Sequence, residues 1–183
     1  MLRNACLGMA LMALSSTGMA AGSNDQKDFS IGLGLGVPYG GVLGVNIAHA
    51  VTDQLELSGA VGAGLGETGW SAGGRFFFTP SSSGDSGFRA SLLYGTNAYL
   101  EVMECESNGF SLSCENEFSS YEGLNLGLGW GHRAGESGWN FDLIVILTSD
   151  VYDEVDRLED EGAELEGEST GRLKLAFGYQ WAL

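Results

Sequence analysis

From Phe29 onward every second residue is apolar. Phe29, Ile31, Leu33, Leu35 and Val37 alternate with Ser30, Gly32, Gly34 and Gly36. A helix repeats its face about every 3.6 residues, so a strict period of two means a β-strand with one apolar side. Leu43, Val45 and Ile47 repeat the pattern, and Leu55, Leu57, Val61, Ala63 and Leu65 give a looser third strand. Trp70, Ala72, Gly74, Phe76 and Phe78 form a fourth, and Phe88, Ala90, Leu92, Tyr94 and Thr96 a fifth. Three cleaner ones follow: Leu124 to Trp130, Trp139 to Leu147, and Leu173 to Leu183. Eight strands of roughly nine to thirteen residues have the length that a tilted strand needs to cross a bilayer.

The connections alternate in length. Val51–Gln54, Pro80–Gly87 and Arg133–Gly138 are short. The two long ones, about 99–121 and 149–171, follow strands five and seven. Strands that run up and down place both long connections at one end, as in a membrane barrel with long outer loops and short inner turns.

The face opposite the apolar one decides between lipid and water. A solvated face carries many Lys, Glu, Asp and Thr. Here it is mostly Gly, Ser, Ala and Asn, which suits the narrow interior of an eight-stranded barrel. A soluble lipocalin-like cup would carry its apolar side inward instead. The apolar side is free of charge, as lipid contact requires. Aromatics gather toward its ends: Phe78, Phe88, Trp130, Trp139, Tyr179 and Trp181 at one, Trp70, Tyr99 and Tyr121 at the other. The expected fold is therefore all-β: an eight-stranded antiparallel up-and-down transmembrane barrel over residues 21–183.

Residues 1–20 read as a cleaved export signal. Arg3 is followed by a run of about ten mostly apolar residues, Ala5 to Leu14, too short to span a bilayer as a helix. Gly18-Met19-Ala20 offers small residues for cleavage after Ala20, with Ala21 as the alternative. Export through the Sec pathway leaves Cys105 and Cys114, which are expected to pair in an oxidising compartment. Closing that ring of about ten residues contributes on the order of 2–3 kcal/mol.

Phe177, Tyr179, Trp181 and Leu183 alternate to the end of the sequence. This resembles the terminal strand that outer-membrane barrels present to the barrel assembly machinery, with Leu183 where Phe or Trp is usual. In strand number, loop parity and last strand the chain resembles the OmpA/OmpX-like class of small outer-membrane barrels. The resemblance implies the outer membrane of a Gram-negative cell, with membrane lipid and lipopolysaccharide as surroundings.

Charge is uneven. Glu56, Arg75, Arg89 and Asp142 fall on the small-residue face and should form a network that plugs the lumen. Pairing lowers the desolvation cost of each. Sixteen of the twenty-four carboxylates lie near the two long connections. Within the second, Asp150, Asp153, Asp156, Glu159 and Asp160 could meet Ca or Mg, or an extracellular cationic partner, without the ligand order of an EF-hand. Val151, Val155 and Leu158 hint at a short helix there. No cofactor is implied.

Nothing here is ordered as a catalytic site. The only histidines, His49 and His132, fall near strand ends, and Ser137 and Glu136 sit beside His132 without a nucleophile–base arrangement. A net charge of −16 opposes nucleic acid. The leading expectation is a non-enzymatic surface barrel serving envelope integrity, adhesion or cation contact. A narrow porin-like channel is the alternative, and a lipid-modifying barrel enzyme the third.

Overall fold

The computed structural model describes residues 28–64, 66–107, 112–151 and 171–183. The signal-like stretch lies outside them. So do Asp153, Asp156, Glu159 and Asp160 of the acidic connection, with Val155 and Leu158 of the suggested helix. Leu65 is outside as well.

Eight antiparallel strands close into one barrel in chain order, and the last pairs with the first. They are β1 (Phe29–Gly36), β2 (Gly41–Ala50), β3 (Leu55–Ala63), β4 (Thr68–Phe77), β5 (Ser86–Ser107), β6 (Leu112–His132), β7 (Gly138–Ile146) and β8 (Leu173–Ala182). Each strand contributes exposed large apolar side chains, with Phe88 69 % and Leu175 80 % accessible. The buried set is Ser30, Asn46, Ser71, Asn125, Asn140 and similar small or polar residues. The greasy side faces out and the polar side fills the middle, the reverse of a soluble cup.

Three expectations need correction. Thr96 and Tyr99 do not extend the outward face of the fifth strand: the ladder shifts register between Thr96 and Ala98, Thr96 is 3 % exposed with its Oγ1 accepting the Trp70 N–H, and a methyl group at Gly41, Gly64 or Gly69 would meet the Tyr99 side chain. Val37 does not end the first strand on its apolar face. Gly36 and Gly40, both at positive φ, bracket a 3-10 turn, Val37–Tyr39, that folds inward and is buried throughout. Pro38 fits that turn, since its ring fixes φ and it has no N–H to give a ladder.

The first long connection is also not a loop. β5 and β6 continue past their outer neighbours as a two-stranded ribbon. β4 pairs with β5 only as far as Gly95, and β7 reaches β6 only from Asn125 onward. The β5–β6 ladder runs on to Ser107↔Leu112, and residues 108–111 lie outside the described set. These two strands, of 22 and 21 residues, exceed the expected length for that reason. Register sets Cys105 directly opposite Cys114.

Candidate functional site

The most distinctive chemistry lies inside the barrel. β3, β4, β5 and β7 each turn one charged residue inward: Glu56, Arg75, Arg89 and Asp142. All four are buried, each arginine being 1 % exposed. Arg89 grips Asp142 with both ends of its fork: Nε donates to Oδ1 at 3.1 Å and Nη2 to Oδ2 at 2.8 Å. Its third nitrogen, Nη1, donates to Asn140 Oδ1 at 2.9 Å. A bidentate pair with every branch used is the arrangement in which a buried ion pair can offset its desolvation.

Arg75 and Glu56 face each other across the β3–β4 ladder, and Ser91 faces Arg75 from β5. Glu56 Oε1 accepts the Ala134 N–H at 2.6 Å. Glu56 Oε2, Arg75 Nη1 and Nη2, and Ser91 Oγ have no hydrogen-bond partner among the described residues. The four charges thus share the lumen, but direct bonds join only Arg89 and Asp142 among them.

Beside these charges and buried amides the lumen also holds apolar side chains. Val37, Leu93, Ile144 and Ala176 form one buried cluster. Tyr39, brought in by the 3-10 turn, is 1 % exposed. Glycine makes room for it: a methyl group at Gly34 or Gly178 would meet the tyrosine ring, and one at Gly44 its carbonyl oxygen.

Polar contacts bridge elements at both ends of the lumen as well. At the ribbon end Ser149 and Val151 are buried. There Ser149 Oγ donates to Asn97 Oδ1 at 2.7 Å, and Asn97 Nδ2 donates to Asn125 Oδ1 at 3.1 Å. At the other end the β6–β7 turn lies across the opening. Gln180 Nε2 donates to the carbonyls of Arg133 (2.6 Å) and Glu136 (2.9 Å).

Arg133 is the residue that sequence reading missed. Its side chain donates to the carbonyls of Asp53 (2.9 Å), Thr79 (2.6 Å) and Gly84 (3.1 Å). One guanidinium therefore ties all three short turns together. It also lies 4.3 Å over the Phe77 ring, while Arg89 approaches that ring at 5.8 Å, both inside cation–π range. Burial pulls its pKa below the ordinary value, partly offset by Glu56 and Asp53. A turn arginine reads as solvent-facing in sequence; only the folded end shows three carbonyls converging on it.

The remaining candidates are dispersed. His132 Nδ1 lies 3.2 Å from the Trp139 carbonyl, and its ring stands edge-on to Trp130. Ser137 Oγ accepts the Ala182 N–H at 2.9 Å. His49 stacks on Phe29 at 4.1 Å. Asp150 begins the β7–β8 connection on the exposed surface. Phe177, Tyr179 and Trp181 of β8 pair with β1 and close the barrel.

Comparison with family models, with curated proteins and with solved structures finds no match.

Proposed function

We propose that this chain is an integral outer-membrane barrel of the OmpA/OmpX-like kind, closed to solutes, whose work is done by the ribbon and acidic connection it holds outside the membrane. The observation that carries this reading is the charge-free apolar belt on the outside of a filled barrel. Outward positions on the barrel-forming parts of all eight strands hold no Asp, Glu, Lys or Arg. A water-facing protein does not expose a continuous apolar band of this size. A strand of nine or ten residues at about 3.3 Å each, tilted by about 40°, gives a band about 25 Å tall, which matches the hydrocarbon layer of outer-membrane barrels.

In this orientation the short turns face the periplasm and residues 1–20 serve as the export signal. The ribbon then carries Glu101, Glu104, Glu106, Glu115 and Glu117 outside, which favours contact with cationic partners over anionic ones. Among the described residues His132 Nδ1 and Ser137 Oγ meet backbone groups rather than each other, which favours a non-enzymatic reading, and the apolar cluster in the lumen weighs against a channel.

Fractionation tests the address. The protein should sediment with outer membranes and change gel mobility after boiling. Recovery in the osmotic-shock fluid, with no heat-dependent mobility, would falsify the membrane reading. Purified protein in planar bilayers should show negligible conductance; regular single-channel steps would return the porin-like alternative.

The ribbon should also hold a Cys105–Cys114 disulfide. Directly opposed residues of an antiparallel ladder have Cα atoms about 4.5 or 5.5 Å apart, within the span a disulfide bridges. Thiol labelling of the exported, unfolded protein should be absent before reduction and present after it. Labelling without reductant would show two free cysteines.

A further inference from the structure

Three inward positions lie side by side on the barrel wall. Glu56 on β3 faces Arg75 on β4, and Arg75 faces Ser91 on β5. All three residues are buried. Among the described residues five buried side-chain polar atoms have no hydrogen-bond partner, and four of them are here: Glu56 Oε2, Arg75 Nη1 and Nη2, and Ser91 Oγ. Orphans scattered over a structure are separate packing faults. Orphans on neighbouring positions call for one shared partner.

Register alone would let Arg75 pair with Glu56 as Arg89 pairs with Asp142. Yet no Arg75 nitrogen lies within 4.0 Å of a Glu56 oxygen. The other carboxylate oxygen gives the reason. Glu56 Oε1 accepts the Ala134 N–H at 2.6 Å, which ties the group to the β6–β7 turn. The wall beside the pair carries little side-chain volume: Ser58 faces Gly73 one inward step along the ladder, and Gly127 faces Ser91. A space bounded by donors and acceptors and walled by Gly and Ser suits a small polar guest.

The chemistry of the four atoms selects that guest. The Arg75 nitrogens only donate, the ionised Glu56 oxygen only accepts, and the Ser91 hydroxyl does either. An anion would sit against Glu56 and a cation against Arg75, and like charges repel strongly where little water screens them. The guest must therefore be neutral, accept from Arg75 and donate to Glu56.

We infer that the lumen holds a built-in water site, in which one or more long-lived water molecules accept from Arg75 Nη1 and Nη2 and donate to Glu56 Oε2 and Ser91 Oγ. Such bridging relieves the cost of burying each group without a partner. One buried charge pair, Arg89 and Asp142, is then joined directly, and the other is joined through water. The site is independent of what surrounds the barrel.

NMR of the full chain in detergent micelles tests this, through rotating-frame cross-relaxation between water and isotope-labelled arginine side chains. The sign of the signal separates bound water from proton exchange. A clear signal is expected at Arg75 and a much weaker one at Arg89, whose three nitrogens each have an acceptor already. Ala134→Pro removes the N–H that ties Glu56 to the turn. The backbone suits the change: Glu136 N–H donates to the Arg133 carbonyl at 3.0 Å and Gly135 has a φ of 87°, so Ala134 stands where a type II turn favours proline. Released, Glu56 should close on Arg75, and most of the Arg75 signal should be lost. If that variant does not fold, the contrast between Arg75 and Arg89 in the parent carries the test. Crystals grown in sodium bromide should show water between Arg75 and Glu56 and no anomalous peak there. No signal at Arg75, equal signals at both arginines, an undiminished Arg75 signal in folded Ala134→Pro, or bromide at the site overturns the inference.

Discussion

Asp142→Ala should lower the free energy of unfolding by about 3–5 kcal/mol, measured by urea titration in micelles with gel mobility as the readout. The size follows from what is left behind. Arg89 donates to both carboxylate oxygens of Asp142 and is itself 1 % exposed. Removing the acid leaves a guanidinium charge in the lumen with Asn140 as its remaining hydrogen-bond acceptor among the described residues. Replacing both partners tells cost from benefit. Arg89→Met with Asp142→Leu should recover most of the loss, because a buried pair exchanged for apolar residues of similar volume is often close to neutral. A loss under about 1 kcal/mol for Asp142→Ala would mean that water reaches Arg89 and that the charged level is wetter than its geometry implies.

Tyr39→Ala should cost a similar amount, about 3–5 kcal/mol, through a different cause. The ring fills the lumen against Gly34 and Gly178, and these glycines have no side chains with which to close the gap. The cavity would persist, and cavity volume is what raises the cost of such truncations. Tyr39→Phe keeps the ring and should stay within about 1.5 kcal/mol of the parent. If the alanine variant matches the parent in the same titration, the inward turn does not brace the barrel.

The two-residue period was strong enough to reveal eight strands, their order of connection and the sidedness of each. It is clearest in β7, where Trp139, Phe141, Leu143 and Val145 alternate with buried Asn140, Asp142 and Ile144. The period misled at Val37 because that residue keeps the alternation while the chain has already left the ladder. Pro38, between two glycines, was the available signal for a turn. The ribbon was missed for the opposite reason. Residues 99–121 run beyond the neighbouring strands of the barrel wall, so nothing requires one side to be apolar, and a strand without a one-sided environment leaves no periodic mark. The lumen charges were legible because a charge among glycines on an alternating strand has only one place to go. Their pairing was not, since it depends on register between strands far apart in sequence. Arg133 was illegible for that reason too: its acceptors come from turns 49 to 80 residues earlier.

That arginine also bears on the order of events during assembly. The β2–β3 and β4–β5 turns are each made locally and early in the chain. The side chain that straps them together belongs to the third turn, and the strand that completes the circle, β8, comes after it. A growing sheet of five or six strands thus has loose corners along its bottom rim. Stiffness arrives late and all at once, so shortened chains that stop before Arg133 should remain open, pliable sheets however well their hairpins form.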